Sequence, residues 1–165
     1  MRANRWANRA AAIIAAVVLL DRASKLYIRS AFSLIDSTAV IPGFFNIVHT
    51  ENPGAAFSLL ADAPSAWRGT VLVWISIVVM AVIGMMLWKR PASAPASTAS
   101  EVGLALVFGG ALGNLLDRIF RGTVTDFLQF FFGAYEFPSF NVADSAISVG
   151  AGLLLLDLWL SRGRK

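Results

Sequence analysis

Two aspartates, Asp126 and Asp144, are the residues of this chain best suited to do chemistry. Held a few ångströms apart in a low dielectric, two carboxylates cannot both ionise, so they keep one proton between them. The ionised member can take a proton from water, and the neutral member can donate to a carbonyl or to a leaving amine. Amide hydrolysis by such a pair calls on no thiol, metal or cofactor, and none is expected here. The chain has no cysteine, so it has no thiol nucleophile, no disulfide framework and no thiolate metal site. Its single histidine, His49, excludes a His-rich metal site and any serine–histidine triad that does not use it.

Other polar residues gather near the pair. Asn114 and Arg118 are four apart and share one helical face, which Gly110 extends. Asn141, Asp144, Ser145 and Ser148 make a similar stripe at the start of another helix. Inside a membrane each charged group costs about 2.5–3.5 kcal/mol on insertion scales, so such groups mark function more often than not. Spacing alone leaves three readings open: a satisfied hydrogen-bond network between helices, an ion or proton path, and hydrolysis. A path would need polar residues across the whole membrane, and beyond Asp144 its helix offers only Ser148 and small residues before Asp157. Asp157 lies about 20 Å further along, too deep to join the pair, and is expected to meet Arg162 or to snorkel.

The elements that must hold these residues are membrane helices. Of 165 residues 57% are hydrophobic and only 15% are charged, and the mean hydropathy is +0.67. A soluble domain carries about a quarter charged residues. About 20 apolar residues cross the bilayer, which predicts spans at 10–28, 69–88, 101–120 and 141–160 within a single domain over 1–165. The net charge of +4 would suit a nucleic acid, but the basic residues flank apolar runs, so no nucleic-acid partner is expected. Arg2, Arg5 and Arg9, then Lys89 and Arg90, then Arg162, Arg164 and Lys165 fall on one side of a four-span chain, the cytoplasmic side. Asp21-Arg22 after the first apolar run favours an uncleaved anchor over a signal peptide. With this orientation the third span ends outward near Phe120, Asp126 follows a short turn later, and Asp144 lies one turn inside the fourth span. Both are expected to reach nearly the same depth near the outer surface.

The connecting segments carry weaker signals. Pro91 to Ser100 reads as a polar, low-complexity cytoplasmic linker. Phe44, Phe45, Ile47 and Val48 followed by the Asn52-Pro53-Gly54 turn predict a small sheet on the outer membrane surface. Asp62 to Trp67 predicts a short capped interfacial helix. Gly109-x-x-x-Gly113 reads as close helix packing, and Asp21 and Lys25 have the spacing of an ion pair. Structural and substrate-positioning roles both remain open for that pair. The fold class is therefore an all-α membrane protein, a four-transmembrane-helix bundle with a small extracytoplasmic β-cradle and a short interfacial helix.

Five blocks in order resemble the signal peptidase II family: Asp21-Arg-Ala-Ser-Lys25, Asn52-Pro-Gly-Ala-Ala-Phe57, Gly109-Gly-Ala-Leu-Gly-Asn-Leu-Leu-Asp-Arg118, Gly122-Thr-Val-Thr-Asp-Phe127 and Phe140-Asn-Val-Ala-Asp144. The resemblance implies a bacterial inner-membrane aspartyl endopeptidase that cuts the signal peptide from prolipoproteins before a cysteine carrying a diacylglyceryl group. It implies that Asp126 and Asp144 are catalytic. It also implies that Asn52, Gly54, Asn114, Arg118 and Asn141 hold substrate backbone or the aspartates. An outer β-cradle, a periplasmic helix over the site, membrane-lipid contacts and globomycin-type inhibition are implied as well, and a monomer is expected.

Overall fold

The structure, a computed structural model, describes residues 2–54, 65–88 and 98–162. Helix α1 covers Arg2–Ala31, strands β1 and β2 cover Ser37–Ile41 and Phe45–Asn52, and helices α2 and α3 cover Ser65–Trp88 and Thr98–Arg121. Strands β3 (Val124–Phe132) and β4 (Tyr135–Phe140) then lead into helix α4, Val142–Arg162.

Three of these helices are long and apolar enough to cross a membrane: α2 over Gly69–Leu87, α3 and α4. The run from Gly69 to Leu87 is rich in β-branched residues, yet it forms a helix. In lipid every backbone amide must be satisfied within its own segment, which overrides their strand preference. Helix α1, at 30 residues, is about 45 Å long, but Asp21, Arg22, Lys25 and Arg29 set it apart in composition. Those charges turn inward: Asp21 and Lys25 are fully buried. Leu19, Leu20, Trp74, Val78, Leu155 and Trp159 face outward, the inverse of a soluble core.

Helix α3 is the centre of the bundle, touching α1, α2 and, most extensively, α4. Glycines permit the close approach. A Cβ on Gly110 would sit 2.3 Å from the Ala143 carbonyl oxygen of α4, and one on Gly113 would sit 2.7 Å from Asp21 Oδ2 of α1. A Cβ on Gly109 would meet Val17 at 3.0 Å, so the Gly109/Gly113 pair does serve helix packing, against α1. Helix α3 stops at Gly122, whose φ of +77° suits a residue without a Cβ and whose amide donates to the Arg118 carbonyl at 3.1 Å.

The strands form one antiparallel sheet in the order β1-β2-β3-β4. Strand β2 pairs with β3 across a long sequence separation, with Thr50 opposite Asp126 and Asn52 opposite Val124. The expected sheet near Phe44–Val48 is present and larger than foreseen, because the segment carrying Asp126 is itself a strand. Rings from three strands stack along it, including Phe45 on Phe130 at 4.7 Å and Phe140 on Phe130 at 5.8 Å.

Some boundaries differ from expectation. Thr98–Ser100, read as linker, begin α3, and residues 91–97 lie outside the described residues. Of the expected interfacial helix, 62–64 lie outside them too, while Ser65–Trp67 open α2 rather than forming a separate helix.

Candidate active site

Asp126 lies third in β3, with 3% of its surface exposed. Its Oδ2 accepts a hydrogen bond from Asn52 Nδ2 at 3.0 Å. Asn52 ends β2 and closes a tight local turn, its Oδ1 accepting the Gly54 amide at 2.8 Å. A backbone amide can only donate, so that bond turns the Asn52 amino group toward Asp126. Gly54 itself has φ +106°, and a Cβ there would lie 2.3 Å from Leu72 Cδ1 of α2. Only glycine fits this turn.

Asp144 comes from the opposite side, at the third residue of α4. Asn141 caps that helix: its Oδ1 accepts the Asp144 amide at 3.0 Å, and its own amide donates to Asp144 Oδ2 at 3.3 Å. This reciprocal capping arrangement satisfies donors that every helix start leaves orphaned. With its oxygen so engaged, fully buried Asn141 points its amino group at Asp126 Oδ1, 2.7 Å away. One asparagine therefore holds both carboxylates.

Asn114, on α3, donates to Asp144 Oδ1 at 2.7 Å, as the shared-face reading expected. Arg118 does less than expected. Among the described residues it forms no ion pair with either aspartate; its Nη1 donates to the Asn114 carbonyl at 3.5 Å. Asp157 is half-buried on α4, and among the described residues no ion pair joins it to Arg162.

Burial pushes the Asp126 carboxyl up to about 7. The Asn52 hydrogen bond opposes this, the Asp144 charge adds to it, and Asn141 and the Lys25 charge pull back. Near neutrality, then, the Asp126 carboxyl stands between its protonated and ionised forms, so a proton there is readily given and readily regained. That is the requirement for acid and base catalysis at a single site.

Behind the carboxylates lies a cluster of charges that the sequence reading left unassigned. Lys25 Nζ meets Asp21 Oδ2 at 2.8 Å, Asp117 Oδ2 at 2.8 Å and Asn114 Oδ1 at 3.0 Å, with all three charged side chains fully buried. Asp117 also pairs with Arg22 and, at 3.0 Å, with Arg29. Asp21 Oδ1 accepts the Ala143 amide at 3.0 Å, tying α1 to the first turn of α4. Asp117 could have been found in the sequence, three residues beyond Asn114 on the same helical face. A second hub is Glu51, which accepts from Thr123 at 2.5 Å and Thr125 at 2.8 Å, with His49 Nε2 at 3.3 Å. Burial acts to raise its carboxyl, but these bonds and Arg29 outweigh it and hold Glu51 below the usual carboxylate range. The other ring nitrogen of His49 meets the carbonyl of Phe32, the residue just after α1, at 2.8 Å, so the ring braces the segment leaving α1 against the sheet.

A family model for signal peptidase II matches residues 13–160. The chain is 46% identical over 154 residues to the lipoprotein signal peptidase of Solibacter usitatus, covering 93% of this chain and 91% of that one. It is 39% identical to the lipoprotein signal peptidase of Photorhabdus laumondii, covering 93% and 89% of the two chains. The fold is similar to a bacterial membrane enzyme solved by the in meso method at 2.3 Å resolution, with TM-score 0.82 and 30% identity over 96% of this chain and 92% of that one. A second such structure, at 1.9 Å, gives TM-score 0.79 and 32% identity over 92% of each chain. Matched across most of its length by the family model and by relatives at this level of identity, the chain belongs to the signal peptidase II family.

Proposed function

We propose that this chain is an aspartyl endopeptidase in which Asp126 and Asp144 share one proton and cleave the bond before a diacylglyceryl-modified cysteine. Removal of signal peptides from prolipoproteins is the activity that membership of the family carries. The observation that supports the aspartyl mechanism is the bridge of Asn141, 2.7 Å from Asp126 and reciprocally bonded to Asp144.

The ionised carboxylate takes a proton from water as the water oxygen attacks the scissile carbonyl carbon. The protonated partner gives its proton to the carbonyl oxygen. When the tetrahedral gem-diol collapses, the protonated carboxyl gives its proton to the leaving amine and the other carboxylate takes one from a gem-diol hydroxyl, which leaves the pair singly protonated. Asn52 with Gly54, Asn114, Arg118 and Asn141 hold the carboxylates and the substrate backbone around that event.

The substrate explains the location. A signal peptide is a membrane helix and its lipid stays in the bilayer, so the scissile bond is presented at the interface. In this reading α1 is the fourth span, both termini are cytoplasmic, the chain is a monomeric single domain of the inner membrane, and the sheet forms a cradle at the periplasmic face. Surrounding membrane lipids and globomycin-type inhibitors are its further partners. Purified protein incubated with a diacylglyceryl prolipoprotein should release the intact signal peptide, identified by mass spectrometry. A cut elsewhere, or none, removes the reading. Reporter fusions at Ser37 should report the outside and fusions after Arg162 the inside.

A further inference from the structure

Lys25 is fully buried, and neither proton transfer of the hydrolysis passes through it. Its ammonium donates to Asp21 Oδ2 at 2.8 Å and to Asn114 Oδ1 at 3.0 Å, and pairs by charge with Asp117 Oδ2 at 2.8 Å, an oxygen that accepts no hydrogen bond. Neutralising Asp117 does not need Lys25, since Arg22 and Arg29 already pair with that carboxylate. The contact to Asn114 is the one that leads to the candidate dyad.

An amide side chain has an oxygen that only accepts and an amino group that only donates. An ammonium only donates, so Lys25 obliges Asn114 to turn its oxygen toward α1. The Asn114 amino group is then left facing Asp144 Oδ1 at 2.7 Å. A fixed donor favours the ionised carboxylate, and a donor polarised by a cation on its other end favours it more. The first-turn position of Asp144 on α4 acts in the same sense, because a helix start favours negative charge.

We propose that Lys25 is a positioning residue for the hydrolysis, orienting and polarising Asn114 so that Asp144 is the ionised member and Asp126 holds the shared proton. This rests on the aspartyl reading above. The other charged groups around the path are Asp21, Arg22 and Arg29 from α1, Asp117 and Arg118 from α3, Glu51 from β2 and Asp126 from β3.

The test is the pH profile of kcat/KM on a diacylglyceryl prolipoprotein for Lys25→Met and for the double variant Asp21→Asn/Lys25→Met. Asparagine keeps an oxygen to accept the Ala143 amide, and the double variant removes one charge of each sign, leaving the long-range field nearly unchanged. The acid limb, where the ionised carboxylate is lost, should move up by about one pH unit in both variants, with KM near wild type and the alkaline limb moving less. An unmoved acid limb, an equal shift of both limbs, or failure of both variants to fold in detergent assigns Lys25 to stability alone and overturns the proposal. Asp144→Asn is assayed beside them. Cleavage by that variant defeats the aspartyl reading, whereas a dead Asp144→Asn beside an unshifted Lys25→Met defeats only the role of Lys25.

Discussion

Asn141 and Asp144 cap one another: the Asp144 amide donates to Asn141 Oδ1 at 3.0 Å, and the Asn141 amide returns to Asp144 Oδ2 at 3.3 Å. The start of α4 and the placement of a candidate catalytic carboxylate are thus one structural event. Because the same Asn141 donates to Asp126 at 2.7 Å, the helix cap also sets the relation between the two carboxylates.

Asn141→Asp separates the two duties of that residue. Aspartate caps a helix as well as asparagine does, but it sets a third buried carboxylate beside Asp126 and Asp144, so thermal unfolding should approach the wild-type value only as pH falls. Aspartate cannot donate to Asp126 when ionised, so cleavage should drop about 100-fold, the scale of losing one preorganised donor. Asn141→Ala should lose both, with about 1 kcal/mol less stability. Equal activity in Asn141→Asp and wild type would remove the bridge from the mechanism.

The raised Asp126 carboxyl predicts how pH acts. With a folded value of about 7 against an ordinary value of 3.8, the folded protein binds the proton more tightly than the unfolded chain. That contribution to stability is fully present below pH 3.8 and is lost as pH rises to about 7. Activity should fall along an alkaline limb near pH 7, where the shared proton is lost. Asp126→Asn should flatten the stability slope across that window. A wild-type activity plateau extending unbroken to pH 9 would contradict the shared proton.

Much of this arrangement was legible before the fold. Asp126 and Asp144 stood out because carboxylates near apolar spans are costly, and the apolar runs placed them at one depth. The strand character of Val124–Phe132 was also available, as an aromatic and β-branched run between Gly122 and Gly133. What sequence could not supply was pairing. Strand β2 meets β3 with irregular register between Ile47 and Thr50, so no local pattern announces that Asn52 will face Asp126. Likewise Asp21, Lys25 and Asp117 each resemble charges at a helix end. Only the close approach of α1 to Gly113 makes them one buried cluster. Thr98–Ser100 read as linker because small polar residues favour loops, yet they precede Glu101, an acid in the first turn of α3 where the helix dipole favours it.

Two glycines distinguish packing that places the site from packing that does not. Gly110→Ala would drive a Cβ to 2.3 Å from the Ala143 carbonyl oxygen, a backbone atom that cannot swing aside. The first turn of α4 must move, taking Asn141 and Asp144 with it, so cleavage should be nearly abolished and the unfolding temperature lowered. Gly152→Ala, also on α4, meets nothing within 4 Å. It should keep wild-type cleavage and gain up to about 1 kcal/mol from better helix propensity. Comparable losses in both would mean that the α3–α4 contact has no special bearing on the site.

The strongest prediction concerns the carboxylates themselves. Each must alternate between accepting and donating a proton, and asparagine can do neither. Asp126→Asn is nearly isosteric and removes charge from a buried place where charge is unfavourable, but its amino group must face the donor of Asn52 or Asn141, so the protein should fold with at most a modest loss of stability. Asp144→Asn can still accept the Asn141 amide, preserving the cap. Activity should nevertheless fall in each by about 10²–10⁴-fold, the range of one general acid–base step. The double variant should be hardly worse than either single one, because groups acting as a unit are not additive. Asp157→Asn is the matched control, with the same chemistry on the same helix at another depth and, among the described residues, no ion pair to Arg162. It should cleave at the wild-type rate. If Asp157→Asn is as inactive as Asp144→Asn while both insert normally, depth does not select the site; if either dyad variant cleaves normally, hydrolysis belongs to other residues.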